Sequence, residues 1–296
     1  MNQSTLGQLR LRDGEHLRVV IDHAEAERPV LAFLNGMGAI LDYWDPVIEK
    51  LADFTCIRYD RPGLGGSPPS IQPSADITTE VDRLSAVLAA TGLSCSRTIL
   101  VGHSYGGLLA ETAVRLHPER FSGLVLVDGT DPNDHADDNT LAESALASAL
   151  SIAVHVPGVA HLIGSTVERV VAHSSTVIPD GPRLGSAQRA LVETSRHVRG
   201  TFAEDLRIPH QCRQALDIAA THDFPNIPAA ILVAGDGRTL KAKRRAREWV
   251  EQNQRRVGQF GDKAELQILQ SGHLMMFDEP DAVASAIREI ASGESA

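Results

Sequence analysis

The run Ile99-Leu100-Val101-Gly102-His103-Ser104-Tyr105-Gly106-Gly107-Leu108-Leu109 constrains what this chain can fold into more than any other stretch. An apolar β-type segment enters Gly-x-Ser-x-Gly, and a helix-type segment leaves it at once. A strand that becomes a helix within one residue must turn so sharply that the central residue takes strained backbone angles. Glycine is expected at 102 and 106 because a Cβ two residues either side of the serine would collide across the turn. Such an elbow lifts the Ser104 hydroxyl from the end of a sheet and places a helix N-terminus beneath it. Backbone N–H groups there can receive negative charge.

The remaining pattern surrounds that elbow with short β-type runs alternating with helix-type segments, as in a mostly parallel sheet with helices on both faces. Strands are expected at 17–21, 30–34 and 55–60, before Ser104, and at 123–128. A helix over 76–91 carries Val81, Leu84, Val87 and Leu88 at helical spacing and stops at Gly92. After Asp128 the rhythm breaks: 131–226 reads as helical segments, among them 141–152 and 167–172, separated by prolines and glycines. Strands return at 229–234 and 265–269, with helices around 240–254 and from Pro280 to Gly293. The chain therefore divides into an α/β core over 1–130 and 227–296 and a helical insertion over 131–226, placed as a lid.

Charge narrows the partners. With 28 basic against 38 acidic residues the formal net charge is −10, which argues against nucleic acid. The run Lys241-Ala242-Lys243-Arg244-Arg245-Ala246-Arg247 then reads as the solvated face of a helix. The acidic group Asp131, Asp134, His135, Asp137 and Asp138 lacks ordered metal-ligand spacing and reads as a solvated loop. Apolar runs such as 124–127 and 229–234 are too short to cross a bilayer, and the first residues show no secretory pattern. Cys56, Cys95 and Cys212 are few and odd in number, which fits reduced thiols and a cytoplasmic location.

A serine hydroxyl is a weak nucleophile and needs a base within reach, itself oriented by an acid. Of twelve histidines, His273 alone follows a C-terminal strand and leads into the final helix, in Ser271-Gly272-His273. It is the expected general base and general acid. His103, beside the serine, is expected to point away from Ser104 and play a supporting part. Gly36-Met37-Gly38 invites a dinucleotide-binding reading, but the third glycine of that fingerprint is missing.

Gly102-His103-Ser104-Tyr105-Gly106, Asp60-Arg61-Pro62-Gly63-Leu64-Gly65-Gly66-Ser67 and Gly272-His273 followed by Glu279-Pro280 together resemble the α/β-hydrolase family over nearly the whole chain, with a helical cap. The resemblance implies a Ser-Asp/Glu-His triad in that chain order. It also implies an oxyanion hole built from the Tyr105 amide and a second amide after a His-Gly pair. That pair is matched here by Asn35-Gly36, so the second donor is Met37. The acid usually falls in Gly-x-x-Asp after the strand that follows the cap, but Gly235-Asp236-Gly237-Arg238 has arginine there. Asp128, at the end of the strand after the elbow helix, is the expected replacement, a relocation resembling that of certain haloalkane dehalogenases. Asp236 is the alternative acid and Asp131 a third.

These residues imply a serine hydrolase that cleaves an ester, lactone or thioester of a small, apolar molecule. No cofactor or metal is required, and neither nucleic acid nor membrane is a partner. The same triad on the same fold is also compatible with acyl transfer to another acceptor, with carbon–carbon bond hydrolysis, or with a non-catalytic ligand receptor. A serine nucleophile argues against dehalogenase and epoxide hydrolase chemistry, for which the resembling families use aspartate at that place.

Overall fold

The computed structural model describes residues 3–24, 28–93, 98–136, 184–236 and 240–293. Eight strands form one sheet: β1 Gln3–Arg10, β2 His16–His23, β3 Val30–Leu34, β4 Cys56–Tyr59, β5 Thr98–His103, β6 Phe121–Val127, β7 Ala229–Ala234 and β8 Ala264–Leu269. Their order is β1-β2-β4-β3-β5-β6-β7-β8. The β1–β2 and β2–β4 pairs are antiparallel, and every pair from β4 through β8 is parallel. Six longer helices accompany them: α1 Ile77–Thr91, α2 Tyr105–Leu116, α3 Ser186–Val192, α4 Ser195–Ala219, α5 Leu240–Arg256 and α6 Pro280–Ser292.

The central strands read as continuous apolar runs because both of their faces are covered. Leu124 and Leu126 of β6 join one core with Leu108 and Leu109 of α2 and Val81 and Leu84 of α1. Val125 and Val127, one residue out of phase, join a second core with Trp44, Phe54 and, from α6, Val283 and Ile287. The period of two thus divides each strand between two helical layers.

After β3 the chain adds β4 on one side, then returns to place β5 on the other. Such a reversal opens a crevice at the C-terminal strand ends, where ligands bind in open α/β sheets. The residues following β3 and β5 therefore meet there, and these are the stretches around Met37 and Ser104.

Strand β1 is not legible in the sequence. Gln-Ser-Thr-Leu-Gly-Gln-Leu-Arg is an exposed edge strand paired on one side only, so no buried face imposes an alternating pattern. Between β6 and β7 the described residues hold a one-turn helix at Pro132–His135, then α3 and α4, and no strand. The helical segments expected over 141–152 and 167–172 lie outside the described residues. No described helix is long and apolar enough to cross a membrane.

Candidate active site

Ser104 has φ 52° and ψ −123°, a conformation that L-residues adopt only under constraint. The surrounding contacts supply the constraint. The Ser104 N–H donates to the Val127 carbonyl at 3.2 Å, and the Ser104 carbonyl accepts from Thr130 N–H at 3.0 Å and Gly107 N–H at 2.8 Å. A Cβ on Gly102 would stand 2.4 Å from the Gly106 carbonyl oxygen, the collision across the turn anticipated from the sequence. Gly106 is required for a different reason: its Cβ would meet the Leu34 carbonyl oxygen at 2.2 Å, because the end of β3 passes directly over the elbow.

Asp128, just past β6, is the other non-glycine residue with positive φ among those described, at 47°. Its buried carboxylate faces three donors. Oδ2 accepts from His273 Nδ1 at 2.6 Å, and Oδ1 accepts from the Ala234 N–H at 3.0 Å and the Trp249 indole N–H at 2.7 Å. Burial pushes the Asp128 pKa up. The hydrogen bond and charge of His273, with the other two donors, outweigh burial and hold it below the ordinary carboxylate value. His273 is half-buried, with its ring fastened on the Nδ1 side.

The two other acids expected from the sequence are engaged elsewhere. Asp236 lies 3.9 Å from Lys243 Nζ, and its N–H donates to the Ser271 carbonyl. Asp131 caps the one-turn helix by accepting from the Asn133 N–H at 3.0 Å, while its Oδ2 accepts from Gln252 at 3.1 Å. Among the described residues no cluster of His, Cys, Asp and Glu has the arrangement of a metal site. Asp137 and Asp138 lie outside them.

His103 packs against His273. Its Nε2–H donates to the His273 carbonyl at 2.9 Å, and the two rings lie 4.6 Å apart. Burial, with the neighbouring His273 charge, drives the His103 pKa down to about 3, so the ring is neutral at pH 7.

The 35–38 loop lies against the elbow: a Cβ on Gly36 would be 2.7 Å from His103 Nδ1 and 3.4 Å from Ser104 Cβ. The Asn35 side chain donates to the Tyr59 carbonyl at 3.0 Å, a bond across to β4. Two residues to which the sequence assigned no role, Arg61 of the 60–67 motif and Glu204, fix the loop from outside. Arg61 donates to the carbonyls of Asn35 and Gly36 at 2.6 and 2.7 Å. It also makes a two-pronged pair with Glu204 of α4 at 2.6 and 2.9 Å. Glu204 in turn accepts the Gly38 N–H at 2.9 Å. In a trans peptide the C=O and N–H point in opposite directions, so gripping the Gly36 carbonyl turns the Met37 N–H away from Arg61. The Arg61–Glu204 pair is buried, and the Glu204 carboxylate outweighs the desolvation of the guanidinium and keeps it charged.

The family model described as "Alpha/beta hydrolase family" matches residues 31–286. A curated relative, RutD of Pantoea ananatis (strain LMG 20103), named as a candidate carbamate hydrolase, is 25% identical over 211 residues, covering 71% of this chain and 70% of its own. Among solved structures, Cfl2 from Burkholderia cenocepacia superposes with TM-score 0.72 at 18% identity, over 97% of this chain and 95% of that one. A thermophilic esterase from Thermogutta terrifontis gives 0.70 at 20% identity, over 96% and 97%. The enol-lactonase of Burkholderia xenovorans LB400 gives 0.67 at 17%, over 97% and 100%. The fold and the elbow define the class, and the chain belongs to the α/β-hydrolase family.

Proposed function

We propose that this protein is a serine hydrolase that cleaves an ester, lactone or thioester bond of a small, apolar molecule through an acyl-enzyme on Ser104. The observation that carries the reading is the 2.6 Å bond between His273 Nδ1 and Asp128, made at the strand ends that also hold the strained Ser104. With the Nδ1 proton committed to Asp128, the other ring nitrogen, Nε2, keeps its lone pair free to take the Ser104 proton. Asp128 then stabilises the imidazolium that forms.

Ser104 Oγ attacks the carbonyl carbon as its proton passes to His273 Nε2. The oxyanion that develops is received by the backbone N–H groups of Tyr105 and Met37. Neither amide has an acceptor among the described residues. A preorganised donor of this kind contributes about 3–4 kcal/mol to transition-state stabilisation. Collapse breaks the bond to the leaving oxygen or sulfur, which takes the proton from His273. A water then gives its proton to Nε2, attacks the acyl-enzyme and releases the acid and the serine. The relatives named for ester, lactone and carbamate substrates support chemistry at such a carbonyl carbon. In this reading 131–226 is the lid over the site, and Glu204 is its link to the 35–38 loop.

The test is steady turnover of short-chain nitrophenyl esters by the wild-type protein, abolished in Ser104→Ala. Absence of turnover by the wild type across esters, lactones and thioesters would overturn the proposal.

A further inference from the structure

A cavity of about 550 Å³ lies between α4 and the 61–75 loop, and none of Ser104, His273, Asp128 or Met37 lines it. One wall carries Arg196, Arg199 and Arg207 of α4. At 100° per residue these three share a stripe of the helix about 16 Å long. The acid of α4 that lines the cavity with them, Glu204, is taken up by Arg61, and Asp205 falls about 180° round from Arg196. Opposite them, residues 61–75 contain neither Asp nor Glu, and Glu80, the carboxylate lining that side, is paired with Arg83.

Two further arginines at the cavity are already matched. Arg61 is paired with Glu204, and Arg83 with Glu15 and Glu80, each at 2.6 Å. The three on α4 are not matched by carboxylates. Arg196 is hydrogen-bonded to the Gly65 carbonyl, which leaves its charge intact. Arg199 and Arg207 make no ion pair among the described residues. In a chain of net charge −10, three unneutralised guanidinium groups converge on one concave surface.

We infer that this cavity is a binding site for a small polyanion, one whose phosphate or carboxylate groups match the planar fork of arginine. The site is separate from the candidate catalytic centre, so the inference does not depend on ester hydrolysis. Because α4 supplies one wall and the core loop the other, an occupant bridges the two and stabilises the folded protein by mass action.

Titration calorimetry of the whole protein with inorganic pyrophosphate and with citrate, at fixed ionic strength, tests it. Saturable binding of one equivalent is expected, with a rise in melting temperature. The tighter of the two probes identifies phosphate or carboxylate as the group recognised. The affinity should fall at least about tenfold in Arg199→Gln/Arg207→Gln. It should be unchanged in Arg244→Gln/Arg247→Gln, which removes charge from the exposed face of α5. Arg199 is exposed, so Arg199→Gln alone keeps the test valid should the double variant be unstable. Non-saturable uptake, equal affinity in the Arg199 variants, or loss confined to the α5 variant would each overturn the inference.

Discussion

Asp128 occupies left-handed backbone space, where asparagine is among the least strained residues, so Asp128→Asn should fold as the wild type does. What it loses is the charge and the acceptor that fix the His273 tautomer. The expected fall in kcat is about 10⁴, measured with a nitrophenyl ester, in a protein that keeps the wild-type fold by circular dichroism. A fall of less than about tenfold would remove Asp128 from the triad, and Asp236→Asn is the matched comparison. Trp249→Phe is a gentler probe of the same carboxylate, since it deletes one of the two donors on Oδ1 and keeps an aromatic, if smaller, ring at that position. A loss of about tenfold in kcat is expected, the size of one hydrogen bond to a charged group. Trp249 was hidden in the sequence by its setting. The basic run at 241–247 marks the exposed face of α5, where Lys243, Arg244 and Arg247 are solvated as expected, and nothing in that pattern says the helix returns an indole to the site.

The elements differ in how far their role can be read from residue order. The β5–elbow–α2 unit is legible because its whole signal is local: an apolar strand, two obligatory glycines and a helical run within eleven positions. The Arg61–Glu204 clamp is the reverse case. Arg61 sits in a turn cluster that reads as punctuation, Glu204 lies 143 residues further on in α4, and only the fold brings them together. Its position predicts a separable kinetic effect. Glu204→Gln keeps an acceptor for the Gly38 N–H but removes the charge opposite Arg61, whereas Glu204→Ala leaves both groups without a partner. Breaking a buried pair in this way costs about 3–5 kcal/mol of stability. Because the clamp orients the Met37 amide, kcat should fall with KM nearly constant, more in the alanine than in the glutamine variant. Loss expressed in KM alone, or equal kcat losses in the two variants after correction for folded fraction, would mean that the pair serves packing only.

For the molecule as a whole, the mostly parallel sheet and its two helical layers were within reach of the sequence because they rest on periodicity, and motifs at strand ends singled out His273 and Asp128, whose side chains meet at 2.6 Å. The edge strand β1 and the polar contacts of α4 were not, since neither imposes a pattern. Two of those polar groups govern how the folded protein responds to acid. His103 supports His273 from beneath, and His197 of α4 accepts the Gly65 N–H at 3.0 Å through Nδ1. Burial drives their pKa values down to about 3 and about 4, against roughly 6.5 for an exposed histidine. Both groups are therefore neutral in the native state at a pH where the unfolded chain has them protonated. The unfolded state binds more protons throughout that window, so stability is complete above about pH 6.5 and falls as the pH drops toward about 4 for His197 and about 3 for His103. Each histidine accounts for up to about 1.4 kcal/mol per pH unit. Protonating His197 places a hydrogen on the nitrogen that accepts from Gly65, which loosens α4, while protonating His103 strains the support beneath His273. Acid should accordingly unfold the site and the helix above it together, below about pH 6. Urea melts at pH 7, 6 and 5 should show a steep fall in the wild type and a shallower one in His103→Gln/His197→Gln, whose amides retain the donor to His273 and the acceptor for Gly65 without titrating. The same slope in both proteins would assign the acid sensitivity to the carboxylates instead.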